Sequence, residues 1–178
     1  MERYLNRKTI YNGKILTLQL DQVECDNGTL AYREIVRHHG GAAILCISKE
    51  KKVLLIRQYR YAYDEVIFEI PAGKLEQKEN PLDAAKREFE EETGHMALDM
   101  TYLTTIYPTC GYSDEKIYLY FVTQFKKTET HFDEDEVIES IWIDLEKVLS
   151  MIASGQIKDA KTICAIQAYL IYQHKIKL

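Results

Sequence analysis

Residues 73–95 read GKLEQKENPLDAAKREFEEETGH, and this stretch contains the best-defined helix signal of the chain. Asn80 is a good N-cap, Pro81 suits the first helical position, and Gly94 is a natural C-terminal stop. Apolar side chains recur at spacings of three and four residues, which predicts one buried stripe formed by Leu82, Ala85 and Phe89. The segment therefore predicts an amphipathic helix that follows a glycine-containing loop.

Three glutamates of this helix share one face. Glu88, Glu91 and Glu92 are spaced at i, i+3 and i+4, where like charges repel by about 0.2–0.5 kcal/mol per pair. Arg87 lies one turn before Glu91 and offsets only part of that repulsion. Such a group of carboxylates suits a hard divalent cation such as Mg²⁺, which takes oxygen ligands, water and substrate phosphates. A solvated acidic face is the other interpretation, because most charge runs are solvent faces.

The rest of the chain has the composition of a globular protein. Apolar residues make up 46%, enough for a sizeable core, and no apolar run is long enough to span a bilayer. The net charge of −5 and the lack of a basic block argue against nucleic acid as a partner. The N-terminus has no apolar signal region, and the four cysteines lie far apart without metal-binding spacing. We therefore expect a cytoplasmic protein with free thiols and no membrane partner.

Strands are predicted on both sides of the helix. Residues 14–21 and 30–37 alternate apolar and polar side chains and flank a turn signal at residues 26–28, so they predict a hairpin. Residues 42–47 and 53–56 are short apolar runs around a charged turn and predict two more strands. Further strands are predicted at residues 66–72, 103–107, 117–125 and 138–143, and further helices at 145–154 and 159–176. The order predicts an α/β domain with a β-rich N-terminal arm.

The helix and the loop before it resemble the Nudix box, G-x5-E-x7-R-E-U-x-E-E-x-G-U, in which U is a bulky apolar residue. Every fixed letter is present at its spacing: Gly73, Glu79, Arg87, Glu88, Phe89, Glu91, Glu92 and Gly94. The one departure is His95, where the family usually has an aliphatic residue. The resemblance implies a Nudix hydrolase with an α/β (α+β) fold, an α/β/α sandwich around a mixed sheet. It implies an N-terminal antiparallel β arm at residues 1–40 and a Nudix hydrolase domain at residues 41–178.

Segments outside the box resemble one branch of that family, the ADP-ribose pyrophosphatases. They are RQYR at residues 57–60, FEIPAG at 68–73, YPTCGYSDE at 107–115 and GQIKDAKT at 155–162. Cys110 stands where the branch commonly has proline, a marker of ADP-ribose specificity. The resemblance therefore implies ADP-ribose as the substrate, and Cys110 leaves another nucleoside diphosphate sugar such as GDP-mannose as the alternative.

The resemblance also implies roles for single residues. Three glutamates and one backbone carbonyl are expected to hold Mg²⁺, or Mn²⁺ in its place: Glu88, Glu91, Glu92 and Ala72. Glu79 and Arg87 are expected to orient the loop and the acidic face, although a structural ion pair explains them equally well. Arg57 and Arg60 are expected to grip a diphosphate, since guanidinium groups match phosphate oxygens in pairs, and Arg60 is the stronger candidate. Glu69 either accepts a hydrogen bond from a base or ribose hydroxyl or forms only a local pair.

A second acidic stretch, residues 133–136, precedes the predicted strand at 138–143. In ADP-ribose pyrophosphatases a loop at this place supplies a glutamate that activates water. The match to the following strand places that role on Glu136, with Glu134 as the second candidate. A solvated acidic turn is an equally good interpretation.

Taken together, the resemblance implies Mg²⁺-dependent hydrolysis of the diphosphate of ADP-ribose, giving AMP and ribose 5-phosphate. A non-catalytic sensor that binds ADP-ribose is the alternative from another class, but such proteins usually lose glutamates of the box, and this chain keeps them all. The arm of about forty residues has a poor core of its own, and small sheets of that kind need a partner surface. The resemblance implies that this partner surface belongs to a second copy of the chain, in a homodimer that exchanges its arms.

Overall fold

The computed structural model describes residues 1–130 and 137–175. Contacts within the chain divide it into two compact units. The first comprises Met1–Gly40 together with Tyr107–Lys116, and the second comprises Gly41–Ile106 and Ile117–Leu178. The loop that contains Cys110 therefore belongs to the same unit as the N-terminal strands.

The first unit is a three-stranded antiparallel sheet in the order β1-β2-β3. Its strands are β1 (Glu2–Asn12), β2 (Leu16–Cys25) and β3 (Leu30–His38). The predicted hairpin is confirmed as β2 and β3, and Gly28 closes its turn at a φ of 78°, a conformation that favours glycine. The sequence places residues 1–40 in a β arm but gives no bounds for β1, because two register shifts, at Tyr4/Asn6 and Thr9/Tyr11, break the alternation that marks the other two strands.

Strand β3 holds the loop at residues 107–116. Val36 forms a parallel bridge to Ser113, and its backbone N–H donates to the carbonyl of Tyr112 over 2.8 Å. The carboxylate of Asp114 accepts hydrogen bonds from Nη1 of Arg37 and from the backbone N–H of His38, both over 2.9 Å. Backbone and side-chain bonds together explain why this loop groups with the arm.

The second unit is built on a mixed sheet in the order β12-β5-β4-β10-β9, with β6 paired to β5 and β7 paired to β4. Strands β4 and β10 are parallel, and the other pairs are antiparallel. Strands β8 and β11 form a separate ribbon. The nine strands are β4 (Gly41–Ile47), β5 (Lys52–Arg60), β6 (Glu65–Glu69), β7 (Ala72–Lys74), β8 (His95–Ala97), β9 (Thr101–Ile106), β10 (Ile117–Val122), β11 (Phe125–Lys127) and β12 (Ile138–Asp144).

Three helices cover the two faces of this sheet: α1 (Pro81–Thr93), α2 (Leu145–Ala153) and α3 (Ala160–Lys175). Alternate residues of β4 face opposite ways, so Ala42, Ile44 and Cys46 pack with α1, whereas Ala43, Leu45 and Ile47 pack with α2 and α3. The predicted α/β/α sandwich is thereby confirmed. Within residues 1–130 and 137–175, no helix is long and apolar enough to cross a membrane.

Helix α1 begins and ends as predicted. Oδ1 of Asn80 accepts a hydrogen bond from the backbone N–H of Leu82 over 2.9 Å, and Pro81 occupies the first turn. Gly94 ends the helix at a φ of 63°, and its N–H donates to the carbonyl of Glu90. Ala85 and Phe89 of the predicted stripe are buried, and Leu82 is half-buried against the same core.

Two predicted strands are each divided in the structure. Residues 66–72 form β6 and β7, which are separated by Ile70 and Pro71. Residues 117–125 form β10 and the start of β11, because the backbone N–H groups of Thr123 and Gln124 bond to Oδ1 of Asp99 instead of to a neighbouring strand. These interruptions depend on long-range contacts, so local β propensity does not reveal them.

Candidate active site

Helix α1 and strand β7 meet through Glu92. Its side chain is buried, with 5% of the residue exposed, and Oε2 accepts a hydrogen bond from the backbone N–H of Ala72 over 2.9 Å. The run of charges on this helix favours a solvent-facing position, but the helix packs with Glu92 turned toward the strand. The contact places the carbonyl-bearing backbone of residue 72 beside the acidic face.

Glu88 lies directly over the backbone of Gly73. A Cβ atom added to Gly73 would stand 1.8 Å from Cδ of Glu88 and 2.1 Å from each of its carboxylate oxygens. Only glycine leaves that volume to the carboxylate. The spacing of the sequence motif identified this glycine, whereas the reason for it is the close approach of a side chain fifteen residues further along the chain.

Arg87 connects the acidic face to the loop before the helix. Its Nε and Nη2 donate to the two carboxylate oxygens of Glu79, each over 3.0 Å. Its Nη1 donates to Glu88 over 2.8 Å and to Glu91 over 3.0 Å. The hydrogen bond from Arg87 holds the pKa of Glu79 below its usual value, and the same contact raises the pKa of Arg87. The ion pair considered from the sequence is therefore present, and it also ties the loop to the helix.

Arg60 and Glu69 form a two-fold hydrogen-bonded pair between β5 and the end of β6. Nε of Arg60 donates to Oε1 of Glu69 over 2.6 Å, and Nη2 donates to Oε2 over 2.8 Å. Burial opposes ionisation of Glu69, yet Arg60 and Lys161 outweigh it and leave the pKa of Glu69 below its usual value. The local pair considered for Glu69 is present, and its hydrogen bond to a base or ribose hydroxyl stays a prediction.

Lys161 is a member of this group that the sequence reasoning did not single out. Its Nζ donates to Oε2 of Glu69 over 2.9 Å and to Oδ1 of Asp159 over 2.7 Å. The only signal in the sequence was its place in the quoted segment at residues 155–162. Its distance of ninety-two positions from Glu69 hides the contact from any local pattern.

Arg57 lies on the other face of β5 from Arg60, because side chains alternate along a strand and three positions separate the two. Its Nη1 donates to Oε2 of Glu139 over 2.7 Å, and its guanidinium lies 5.7 Å from the ring centre of Phe68. Phe68 packs with the core on the side of α2 and α3. The structure therefore does not bring the two arginines to one point.

The chain matches the NUDIX domain over residues 37–166. The chain belongs to the NUDIX family. The predicted family is thus confirmed, and a solved structure described as an ADP compounds hydrolase supports the fold. It superposes with a TM-score of 0.85 over 98% of this chain and 95% of that chain at 20% sequence identity.

Three relatives show how far the sequence similarity extends. A methanol dehydrogenase activator of Bacillus methanolicus is 40% identical over 99% of this chain and 96% of its own length. An ADP-ribose pyrophosphatase of Bacillus subtilis (strain 168) is 38% identical over 93% of this chain and 91% of its own length. A GDP-mannose pyrophosphatase of Yersinia enterocolitica is 34% identical over 80% of both chains.

The NUDIX donors on α1 fit a hard cation by their chemistry. Glu88, Glu91 and Glu92 supply carboxylate oxygens beside the Ala72 backbone, and the space that Gly73 leaves open is filled by one of those carboxylates. Among the residues that the structure describes, no group of three or more His, Cys, Asp or Glu side chains is already gathered as a metal site. Arg87 instead bonds two of the glutamates, so a cation has to share them with it.

Glu136 and Glu134, the two candidates for the base, lie outside the described residues. The NUDIX assignment does not choose between them. Both stay predictions, and so does the identity of the bound metal.

Proposed function

We propose that this NUDIX protein is a pyrophosphohydrolase that cleaves the diphosphate of ADP-ribose to AMP and ribose 5-phosphate. The observation that carries the proposal is the packing of the acidic helix against strand β7. Glu92 accepts from the Ala72 N–H over 2.9 Å, and Glu88 fills the space above Gly73. The 38% identity to an ADP-ribose pyrophosphatase over 93% of the chain selects the substrate.

Glu88, Glu91, Glu92 and the carbonyl of Ala72 hold the cation, Mg²⁺ or Mn²⁺. When bound, the cation neutralises phosphate charge and lowers the pKa of a water molecule. Arg87 holds the glutamates in register, since it donates to Glu88 and Glu91 from the same nitrogen. Glu79 holds Arg87 in turn through two hydrogen bonds of 3.0 Å.

Arg60 binds the phosphate on the α1 side of the sheet. Its Nε and Nη2 are occupied by Glu69, which leaves Nη1 as a donor for a phosphate oxygen. The hydrogen bonds to Glu69 are the main cause of the raised pKa of Arg60, and the charge of Glu92 on the acidic face adds to the effect. Arg57 binds substrate only if its pair with Glu139 opens, and its role stays a prediction.

Glu136, with Glu134 as the second candidate, takes the proton of the attacking water. Its place in the sequence, just before β12, supports this assignment. A positioned carboxylate contributes roughly 10²–10⁴-fold to such a step.

A second candidate function keeps the chemistry and changes the substrate to GDP-mannose. Two observations favour it: Cys110 replaces the proline common in the ADP-ribose branch, and a GDP-mannose pyrophosphatase is 34% identical. The sensor alternative has less support, because the chain keeps each box glutamate and Arg87 holds two of them together.

We further propose that the protein is a cytoplasmic homodimer that exchanges its N-terminal arms. Large apolar side chains are exposed on one face of the three-stranded sheet, where the strand register brings together Tyr11, Leu30 and Tyr32, at 59%, 60% and 63%. Apolar surface of this kind is typical of a face that a partner covers.

The proposed function is tested by product analysis on a panel of substrates with Mg²⁺. The panel contains ADP-ribose, GDP-mannose, diadenosine polyphosphates, and NADH, included because of the dehydrogenase activator among the relatives. We expect AMP and ribose 5-phosphate from ADP-ribose, and no product after chelation of the metal. Preferred turnover of GDP-mannose would show that GDP-mannose, and not ADP-ribose, is the substrate. Binding of ADP-ribose without any turnover would show that the protein is a sensor and not an enzyme.

A further inference from the structure

A group of four charged side chains, of which only Arg60 is more than a third exposed, joins β5, the end of β6 and the start of α3. Two are positive, Arg60 and Lys161, and two are negative, Glu69 and Asp159. Glu69 is at its centre with 1% of the residue exposed, and its two oxygens accept three hydrogen bonds. A carboxylate has about four acceptor positions, so its partners nearly saturate this one.

The start of α3 fixes this group from the other side. Oδ2 of Asp159 accepts from the backbone N–H of Thr162 over 2.9 Å and from its hydroxyl over 2.7 Å. The same Thr162 hydroxyl oxygen accepts from the backbone N–H of Ile70 over 2.8 Å. Helix α3 is therefore bonded both to the side chain of Glu69, through Lys161, and to the backbone of the next residue.

Lys161 balances the charges of this group. Burial lowers its pKa, but Asp159 and Glu69 outweigh that effect and keep the pKa above its usual value, so the ammonium is charged. Buried ion pairs contribute little net stability compared with apolar packing. Burial of Glu69, Asp159 and most of Lys161 therefore gives little net stability, and the geometry indicates that the group orients a side chain instead.

The oriented group is the guanidinium of Arg60. Glu69 holds it by Nε and Nη2, and Nη1 donates to no protein group among residues 1–130 and 137–175. Two parallel hydrogen bonds fix the plane of a guanidinium as well as its position. Arg60 is half exposed while its anchor is buried, so the free edge is available to a ligand.

We propose that Lys161 is a positioning residue for phosphate recognition: it anchors Glu69, and Glu69 in turn holds Arg60 with its free edge ready for a diphosphate. The inference rests on the proposed function, because it assigns the phosphate contact to Arg60. In this proposal Glu69 and Lys161 do not touch the substrate: Glu69 contacts Arg60, and Lys161 contacts Glu69.

The test is a double-mutant cycle on the full chain, read by the calorimetric affinity for inorganic diphosphate with Mg²⁺. Arg60→Ala removes the contact, Lys161→Met removes the anchor, and the double variant combines them. Each single change is expected to weaken binding by about tenfold or more, and the double variant to bind like Arg60→Ala alone. Lys161→Arg, which keeps a buried donor, is expected to restore most of the affinity.

Lys158→Met is the matched control, since Lys158 lies three positions earlier and pairs with the exposed carboxylate of Glu65 over 3.1 Å. It is expected to bind diphosphate like the wild type. If Lys161→Met does not fold, Asp159→Asn with Lys161→Met removes one charge of each sign and takes its place in the cycle.

Additive losses in the cycle, or unchanged affinity in Lys161→Met, overturn the proposal. Because the readout is binding of diphosphate and not turnover, a wild-type protein that fails to cleave any nucleoside diphosphate sugar contradicts the proposed function alone. The cycle then still decides whether Lys161 acts through Arg60.

Discussion

At the scale of single residues, the closest packing in the site lies between Gly73 and Glu88. Substitution Gly73→Ala places a Cβ 1.8 Å from Cδ of Glu88, and the carboxylate, which is the end of a flexible side chain, has to move. The backbone of Gly73 does not have a positive φ, so alanine itself is tolerated there. We expect the free energy of unfolding to change by less than about 1 kcal/mol, and hydrolysis of ADP-ribose to fall about 100-fold.

The two effects are separated by urea unfolding and by steady-state kinetics on the same preparation. Unchanged kinetics in a folded Gly73→Ala protein would show that the position of Glu88 is not needed. A collapse of stability would show that the glycine serves the fold instead.

Glu69 gives a prediction for the pH dependence of stability. Its pKa in the folded protein lies below the ordinary value of 4.5, so its ionised form stabilises the fold above that pH, and the contribution is lost as the pH falls through the folded pKa. Glu69→Gln leaves Arg60 and Lys161 without their shared anion, which costs about 3–5 kcal/mol at neutral pH.

Urea unfolding between neutral pH and the acid range measures this. The variant is expected to lose less stability below pH 4.5 than the wild type does. Glu65→Gln, which removes an exposed carboxylate paired to Lys158, is expected to follow the wild-type curve. Parallel curves for Glu69→Gln and the wild type would mean that Glu69 does not stabilise the folded state as an anion.

Single residues were predictable from the sequence where spacing alone identifies them. Arg87, Glu88, Glu91 and Glu92 are of this kind, because one helix displays them all. Lys161 was not, since it reaches Glu69 across ninety-two positions, and the burial of Glu92 depends on the docking of β7. Arg57 and Arg60 face opposite ways because side chains alternate along a strand. The predicted strand ended at residue 56, so this alternation could be applied to the two arginines only after the structure extended β5 to Arg60.

At the scale of elements, helix α1 carries the site and its start is set by Asn80. Asn80→Ala removes the acceptor of the Leu82 N–H, and such N-cap losses cost about 1 kcal/mol. We expect that decrease in the free energy of unfolding, measured by urea denaturation, with kcat on ADP-ribose within about twofold of the wild type. A large fall in kcat without loss of stability would contradict a purely capping role.

The bounds of a helix or strand were predictable where residues next to its ends determine them. The cap at Asn80 and the stop at Gly94 gave both ends of α1 from the sequence. Strands β10 and β11 were merged in the prediction, because the carboxylate of Asp99, twenty-four positions before Thr123, divides them. Strand β8 has only three residues and was missed for the same reason, since its pairing with β11 is all that defines it.

At the scale of the whole molecule, the exposed apolar side chains of the arm are the basis of the proposed dimer. Leu30→Asp puts a charge on that sheet and is expected to weaken dimerisation at least tenfold, about 1.4 kcal/mol, in sedimentation velocity. Leu98→Asp is the matched control, because Leu98 is equally exposed, at 60%, but belongs to the second unit. A monomeric wild-type protein, or equal effects of the two variants, would contradict the exchange of arms.

The central claim is that cleavage of ADP-ribose requires the glutamates on one face of α1, the face that packs against β7. The number of negative charges on the helix is not sufficient. This claim is tested most directly by the rate of AMP formation with Mg²⁺ in Glu92→Gln and in Glu90→Gln. Both changes remove one carboxylate from α1, and helical geometry places Glu90 away from the face shared by Glu88 and Glu92. We predict at least a 100-fold loss, about 2.7 kcal/mol, in Glu92→Gln and a nearly wild-type rate in Glu90→Gln. Equal rates in the two variants, or no AMP from the wild type, would contradict the account.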